Sequence, residues 1–355
     1  MIYFEDVRVM GKPQGIVETN ASIEGSDPVE TKLHSTEILR RFIIERLPKP
    51  NTPLSEAAHH HFDVSGKMLR AKMALSAAKV LKIDQAAALH WAVAVEILHN
   101  ASLIHDDICD GDQFRRGRPS VWFKYGRNVA LTLGDWLISL AFELAAEAGQ
   151  RSQTPLLVKI LAQHMATTTR GEAAEFSNCG VFSWDSYMEI ASDKTAPLLT
   201  APMEGVAAMA LHASAATALK SYFRNLGAAY QMANDILNFR ALDGAADCGS
   251  DLARRAPNAV IVLYRQNLSA DQGAAFDYWS ASGAKADLGF WKQDILNSGA
   301  MTQSIQQMHR AFNKATRAGK DLPSGLSEAV SPVQALLKQV CLESVAPTDS
   351  LTPPS

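Results

Sequence analysis

The chain has 355 residues, 47% of them hydrophobic and 20% charged, enough to bury a large core as one big domain or two small ones. Its net charge of −3 leaves no basic surplus for nucleic acid, and its four cysteines (Cys109, Cys179, Cys248, Cys341) show neither a zinc spacing nor a disulfide framework, which suits a reducing cytoplasm. The opening MIYFEDVRVMGK lacks the order of a signal peptide, and no window of about 18 residues is free of charge and helix breakers, so neither a leader nor a membrane span is expected.

Residues 1–30 are mixed and polar and read as a loose N-terminal arm. Pro48 to Pro53 predicts a break between two helices. From about residue 54 to 240 apolar residues recur at helical spacing, with almost no strand-like alternation. Asp84 is placed to cap a helix running to about Asp110, and another spans roughly Asn128 to Ala148. Thr154-Pro155 reads as the N-cap and first-turn proline of the next helix, and Ser183 and Ser214 are further N-cap candidates. Residues 257–345 are helical again and more amphipathic. The Pro/Ser/Thr-rich stretch 346–355 reads as a disordered tail. The expectation is an all-α fold: one domain over 31–345, a large helical bundle with its site built between inward-facing helices.

The chemistry starts at AAALHWAVAVEILHNASLIHDDICDGD. Its body is too apolar to face water on all sides, yet His99, Asp106 and Asp110 share one helix face. Asp106 and Asp110 are one turn apart, about 5–6 Å between Cβ atoms. Two carboxylates at that spacing repel unless a cation sits between them. Mg²⁺, which prefers oxygen ligands and shares itself with phosphates, is the natural occupant; a solvated acidic helix end is the plainer alternative. Next comes Arg115-Arg116-Gly117-Arg118-Pro119-Ser120, whose guanidinium forks suit either ion pairs with the aspartates or diphosphate oxygens. Upstream, Gly66-Lys67-Met68-Leu69-Arg70 sets two cations one turn apart.

Other features read more plainly. His59-His60-His61 reads as an exposed helix start rather than a metal cluster, because consecutive histidines point in different directions. His164, His212 and His309 have no partner spacing. Trp91, Trp136 and Trp184 read as packing, and Met203, Met209 and Met232 as fillers of core or cavity wall. Thr167 to Arg170 reads as helix surface.

Together GKMLR (66–70), EILHNASLIHDDICD (96–110), RRGRPS (115–120), GDWLISLAF (134–142), GE (171–172), KTAPL (194–198) and YQMANDILN (230–238) resemble the trans-isoprenyl diphosphate synthase family over roughly residues 60–260. The resemblance implies an isoprenoid-synthase bundle with a central cavity, usually homodimeric, that joins isopentenyl diphosphate to an allylic diphosphate. Carried over position by position, Lys67, Arg70, His99 and Arg116 would hold isopentenyl diphosphate. Asp106 and Asp110 would ligate Mg²⁺, with Asp107 mainly in support. Arg115, Lys194, Thr195 and Gln231 would hold the allylic diphosphate, and Asn234 and Asp235 fall in the second metal motif.

That second motif departs from the family. DDxxD is here Asn234-Asp235-Ile236-Leu237-Asn238, and Ala246 and Ala256 stand where two lysines are usual. Two anions and two cations are thus missing together. Arg254 or Arg255 is available to replace a cation. Three readings follow: chain elongation with an altered half-site, irregular coupling or cyclisation, and a non-catalytic regulatory subunit of a polyprenyl synthase. The cyclase pattern fits poorly, since the positions that should carry Asn, Ser/Thr and Glu hold Asn234, Asn238 and Leu242. Ala101 and Ser102, small side chains five and four positions before Asp106, favour products of C20 or longer.

Overall fold

The structure is a computed structural model that describes residues 28–64, 66–177, 183–240, 249–283 and 286–345. Most of the expected arm, the expected tail, Cys179, Cys248, Leu242 and Ala246 lie outside the described residues. Among the described residues the fold is all-α, with fifteen α-helices and one pair of two-residue strands. In chain order these are α1 (Pro28–Glu45), α2 (Pro53–Asp63), α3 (Leu69–Val80), α4 (Gln85–Asp110), β1 (Phe114–Arg115), β2 (Arg118–Pro119), α5 (Val121–Tyr125), α6 (Arg127–Ser152), α7 (Leu156–Ser177), α8 (Trp184–Met209) and α9 (Ala216–Phe239). There follow α10 (Ser250–Arg254), α11 (Ala259–Asn267), α12 (Ala270–Ser282), α13 (Leu288–Asn297), α14 (Ala300–Ala318) and α15 (Ser324–Glu343). The first helix begins at Pro28, inside the stretch expected to be a loose arm.

The chain divides into two compact units. One runs up to Lys72 and resumes over Ala92–Leu144; the other takes Met73–Trp91 and everything from Ala145 onward. The divisions fall inside α3, α4 and α6, so the interval 31–345 is one run of helices but two packing units.

In the first unit, Thr52 caps α2 by accepting the Ser55 N–H at 3.1 Å, with Pro53 just behind it where a missing N–H costs nothing. The end of α4 is set by Gly111 at φ 72°, after which the Asp112 N–H turns back to the Asp107 carbonyl at 3.0 Å. The basic run that follows folds as a hairpin, which the helical periodicity around it gave no reason to expect. Phe114 pairs with Pro119 and Arg115 with Arg118, and the two connecting residues, Arg116 and Gly117, both take positive φ (54° and 74°). That is the pattern of a type I′ turn, and it commits a non-glycine residue, Arg116, to a left-handed backbone.

In the second unit, α7, α8 and α9 pack on one another in sequence order and α14 lies along α9, with α11 and α15 adding to the same core. Helix α8 is buried without interruption from Ala196 to Met209. Each large side chain so enclosed contributes about 1.5–3 kcal/mol relative to exposure. Met203, Met209 and Met232 are buried as expected. The cap assignments hold at Asp84, which accepts the Ala87 N–H at 2.8 Å, and at Ser183, which accepts the Ser186 N–H at 3.1 Å. They fail at Ser214, which lies inside a 3₁₀ turn (Ala213–Ala215) ahead of α9, and at Thr154, whose hydroxyl donates to the Ser152 carbonyl.

Helices α4 and α6 are long and apolar enough to cross a membrane by composition; the apolar window of α4 is 89% buried within the protein and that of α6 is 44% buried. For α4 this is the signature of a core helix, and the polar residues it does carry form the site.

Candidate active site

In the first unit the site is built on the second half of α4. Asp106 and Asp110 are half-exposed on one face, as their spacing requires, while Asp107 between them is buried and turned the other way. Asp107 Oδ1 accepts from Arg115 Nε at 2.8 Å and from its terminal nitrogen at 2.5 Å. Burial pushes the Asp107 carboxyl up to about 6, against the pull of Arg115. Arg115, expected at the allylic diphosphate, is therefore an inward-facing side chain, only 8% exposed, that ties the hairpin to α4.

The residues expected to hold isopentenyl diphosphate belong to this same unit. Arg70 and His99 are both buried, and the charges of Arg70 and Arg115 add to burial in holding His99 well below its usual range, so its ring is neutral. Arg116 donates to the Val64 carbonyl at 2.8 Å, and burial lowers its guanidinium to about 10, still charged at neutral pH. Met68, between Lys67 and Arg70, has φ 47°, a left-handed kink at the entry to α3.

The histidine run is corrected by the structure. It occupies the last turns of α2, where His60 and His61 are buried, not exposed. His60 bridges to the hairpin: its Nε2 lies 2.8 Å from the Pro119 carbonyl, and its Nδ1 lies 3.1 Å from Arg118 and 3.2 Å from Lys124. Donation from Nε2 and acceptance at Nδ1 satisfy all three contacts with a neutral ring. His61 Nε2 lies 2.8 Å from Asn100 Oδ1.

In the second unit, Lys194 and Thr195 lie mid-way along α8. Lys194 is 8% exposed and paired with two glutamates one turn apart on α7: Glu172 at 2.8 Å, and Glu175. The GE dipeptide flagged Glu172; Glu175 carried no signal of its own. The nearby run Thr167 to Arg170 lies along α7, with Arg170 ion-paired to Asp193 at 2.6 Å. His164, which had no partner spacing in sequence, is buried and paired with Glu204 at 2.7 Å.

The altered motif lies at the end of α9, and Asn234, Asp235 and Asn238 are all buried. Asp235 accepts from Tyr187 Oη and the Ala259 N–H, both at 2.7 Å, and from Gln231 Nε2 at 2.9 Å. Burial, then the charge of Asp251, push its carboxyl up to about 7 despite those bonds. Asn238 donates to Ser250 Oγ at 2.8 Å and accepts the Asp251 N–H at 3.4 Å. Asn258 donates to Asp251 at 2.9 Å and accepts the Val260 N–H at 2.9 Å, which caps α11. Asp235, read from sequence as a metal ligand, and Gln231, read as a phosphate contact, are thus engaged with each other. Of the two arginines available to replace a missing lysine, Arg254 pairs with Asp251 at 2.9 Å, and Arg255 lies over the Trp279 ring at 3.7 Å and donates to the Leu252 carbonyl at 2.7 Å.

Among the described residues no group of three or more His, Cys, Asp or Glu side chains gathers as a ready metal cage. The donor set still suits Mg²⁺: two half-exposed carboxylates on one helical turn, with the third turned away, leave coordination positions for water and phosphate oxygen, the ligand mix this ion favours.

Comparison with known proteins gives the family. Residues 51–287 match the polyprenyl synthetase family, and the chain belongs to it. It is 34% identical over 175 residues to a (2E,6E)-farnesyl diphosphate synthase of Mycobacterium tuberculosis, covering 48% of each chain. It is also 34% identical over 218 residues to a geranylgeranyl diphosphate synthase of Saccharolobus solfataricus, covering 59% of this chain and 65% of that one. The chain spans about half the length of the first of these relatives. Among solved structures, a polyprenyl synthase from Caulobacter crescentus complexed with calcium and isoprenyl diphosphate superimposes with a TM-score of 0.73 at 26% identity, over 90% of this chain and 99% of that one.

Proposed function

We propose that the protein is a Mg²⁺-dependent prenyltransferase that condenses isopentenyl diphosphate with an allylic diphosphate, acting in the cytoplasm as a homodimer. The observation that carries this reading is that buried Arg70, neutral His99 and charged Arg116 lie in the same unit whose α4 presents Asp106 and Asp110, with Arg70 near enough to His99 to lower its pKa. A cation-rich subsite beside paired carboxylates is what a metal–diphosphate substrate pair requires and what an ordinary acidic helix end lacks.

In this reading Lys67, Arg70 and Arg116 hold the diphosphate of the non-allylic substrate, with His99 donating a neutral hydrogen bond. In the first unit Asp106 and Asp110 are the groups that would hold Mg²⁺, which would neutralise charge on the leaving diphosphate; in the second unit Asn234 offers an amide oxygen as a further candidate ligand. Asp107 and Asp235 support rather than ligate: the first orients Arg115, the second orients Gln231 and Tyr187. Lys194 and Thr195 hold the allylic diphosphate, with Glu172 and Glu175 holding the Lys194 ammonium in place until phosphate oxygens compete for it. The allylic C–O bond breaks and diphosphate departs with the electron pair. The isopentenyl double bond then attacks the allylic carbon, and a proton leaves the adjacent carbon for the released diphosphate. Fixed cations aimed at the departing oxygens stabilise the charge that develops there. Ala101 is small and buried and Ser102 is half-exposed, which favours products of C20 or longer.

The test is incubation with Mg²⁺, isopentenyl diphosphate and allylic diphosphates of C5, C10, C15 and C20. Products longer by C5 units support the reading. Hydrocarbon released from an allylic substrate alone supports a cyclase. Binding without turnover supports a regulatory subunit, the alternative favoured by the internal engagement of Asp235, Gln231 and Lys194. Ala101→Phe should shorten the product; an unchanged length places the floor elsewhere.

A further inference from the structure

Glu96 is the one acidic residue in the buried body of α4, ten positions before Asp106, and is only 2% exposed. Leaving a carboxylate there is costly unless hydrogen bonds compensate. Its Oε2 accepts the Ala71 N–H at 3.0 Å, and the Arg70 N–H is turned to the same carboxylate. Burial raises the acid's pKa, while the Arg70 guanidinium is near enough to pull it back. Glu96 therefore holds both the backbone and the charge at the first turn of α3.

One turn further along α4, Asn100 does the matching work at the other end of the same segment. It is 3% exposed, donates to the Glu96 carbonyl at 2.8 Å and receives His61 at 2.8 Å. The chain between His61 and Ala71 carries Lys67 and Arg70 and is thus anchored at both ends to adjacent turns of one rigid helix. Between the anchors, Arg116 grips the Val64 carbonyl and Met68 holds its left-handed kink. The Glu96 carboxylate thus satisfies first-turn N–H groups of α3 while it faces the Arg70 guanidinium, and Asn100 accepts from the last turn of α2. Together they fix where the cations of the loop lie relative to His99.

We infer that Glu96 is a positioning residue for the isopentenyl-diphosphate subsite: it acts through Arg70 and the loop 66–70, and it sets affinity for the non-allylic substrate without touching it. This rests on the functional reading above. A buried carboxylate that served only as a helix cap would affect both substrates alike through stability. One that aligns Arg70 separates them.

The experiment is equilibrium dialysis of labelled isopentenyl diphosphate and of labelled allylic diphosphate, each with Mg²⁺, for wild type, Glu96→Gln, Arg70→Gln and the double variant. Glu96→Gln keeps the shape and one acceptor but loses the charge. It should weaken isopentenyl diphosphate binding about tenfold or more and change allylic binding less than about twofold. On the Arg70→Gln background it should add little, because its target is gone. Should Glu96→Gln fail to fold, Glu96→Asp, which withdraws the carboxylate by one methylene, carries the same prediction. Equal losses for both substrates, full additivity with Arg70→Gln, or unchanged isopentenyl diphosphate binding each overturn the inference. A wild-type protein that binds no isopentenyl diphosphate overturns the functional reading itself.

Discussion

Trp91 lies flat against Gly205: a Cβ built on the glycine would sit 2.1 Å from the indole ring. The tryptophan is fully buried, and its indole N–H donates to the Pro202 carbonyl at 3.1 Å, so it has no freedom to retreat. Gly205→Ala is therefore expected to destabilise the protein by about 1–3 kcal/mol through overpacking. Trp91→Leu on that background should recover part of the loss. Denaturant midpoints of the single and double variants check this, and additive effects would show that the two residues do not constrain each other.

Lys194 gives a second stability prediction, separable from its proposed role with substrate. Removing this buried cation takes an ion pair from both Glu172 and Glu175, two acids one turn apart on α7. Lys194→Gln should cost about 3 kcal/mol, within the range seen when one partner of a buried pair is lost. Adding Glu172→Gln and Glu175→Gln should restore most of that stability while leaving allylic diphosphate binding absent. Binding regained in the triple variant would remove Lys194 from the subsite.

Much of this was legible in the sequence because the signals were local. The Asp84 cap and the long apolar run gave α4 its limits, and the spacing of Asp106 and Asp110 gave their shared face. What escaped was set by partners distant along the chain. Glu96 and Asn100 are single polar residues in an apolar helix, and only the approach of Ala71 and His61 gives them meaning. His60 and His61 read as exposed because adjacent histidines diverge on a helix; the hairpin carbonyl of Pro119 and the amide of Asn100 receive them from two directions. The left-handed Arg116 had only a following glycine as a hint. The altered motif was visible as missing charges, but not that Tyr187, Ala259 and Gln231 enclose the aspartate that remains.

Burial holds the His61 ring at about 4, from an ordinary 6.5, with the bond to Asn100 opposing the drop. The unfolded chain takes up this proton near 6.5 and the folded one only near 4. Below 6.5 the unfolded state therefore binds more protons. The contribution of His61 to stability is full above pH 6.5 and is lost as pH falls towards 4, by up to about 3 kcal/mol. Asp107 and Asp235, whose carboxyls are raised, contribute with the opposite sign and lose stability as pH rises. The comparison must therefore be between wild type and His61→Gln, which keeps an amide donor for Asn100. The variant should show a shallower loss of stability between pH 6.5 and 4. Parallel profiles would mean that His61 titrates alike in both states.

The asparagines of the second motif make the metal testable without turnover. Asn238 is held by Ser250 and Asp251, and Asp235 beside it already sits near 7 because burial and Asp251 oppose its ionisation. Asn234→Asp with Asn238→Asp would add two carboxylates to that buried neighbourhood. Without divalent cations the double variant should lose about 2 kcal/mol or more, the scale of burying poorly compensated charge. Mg²⁺ should restore it, since a ligand at a hundred times its dissociation constant contributes about 2.7 kcal/mol to the folded state. Wild type, with neutral amides at both positions, should respond to Mg²⁺ far less at this end of the site. Thermal melts across a Mg²⁺ titration read both. If elongation also rises in the variant, the native asparagines weaken an ordinary half-site. If a native activity is abolished while Mg²⁺ binding tightens, they serve a different reaction.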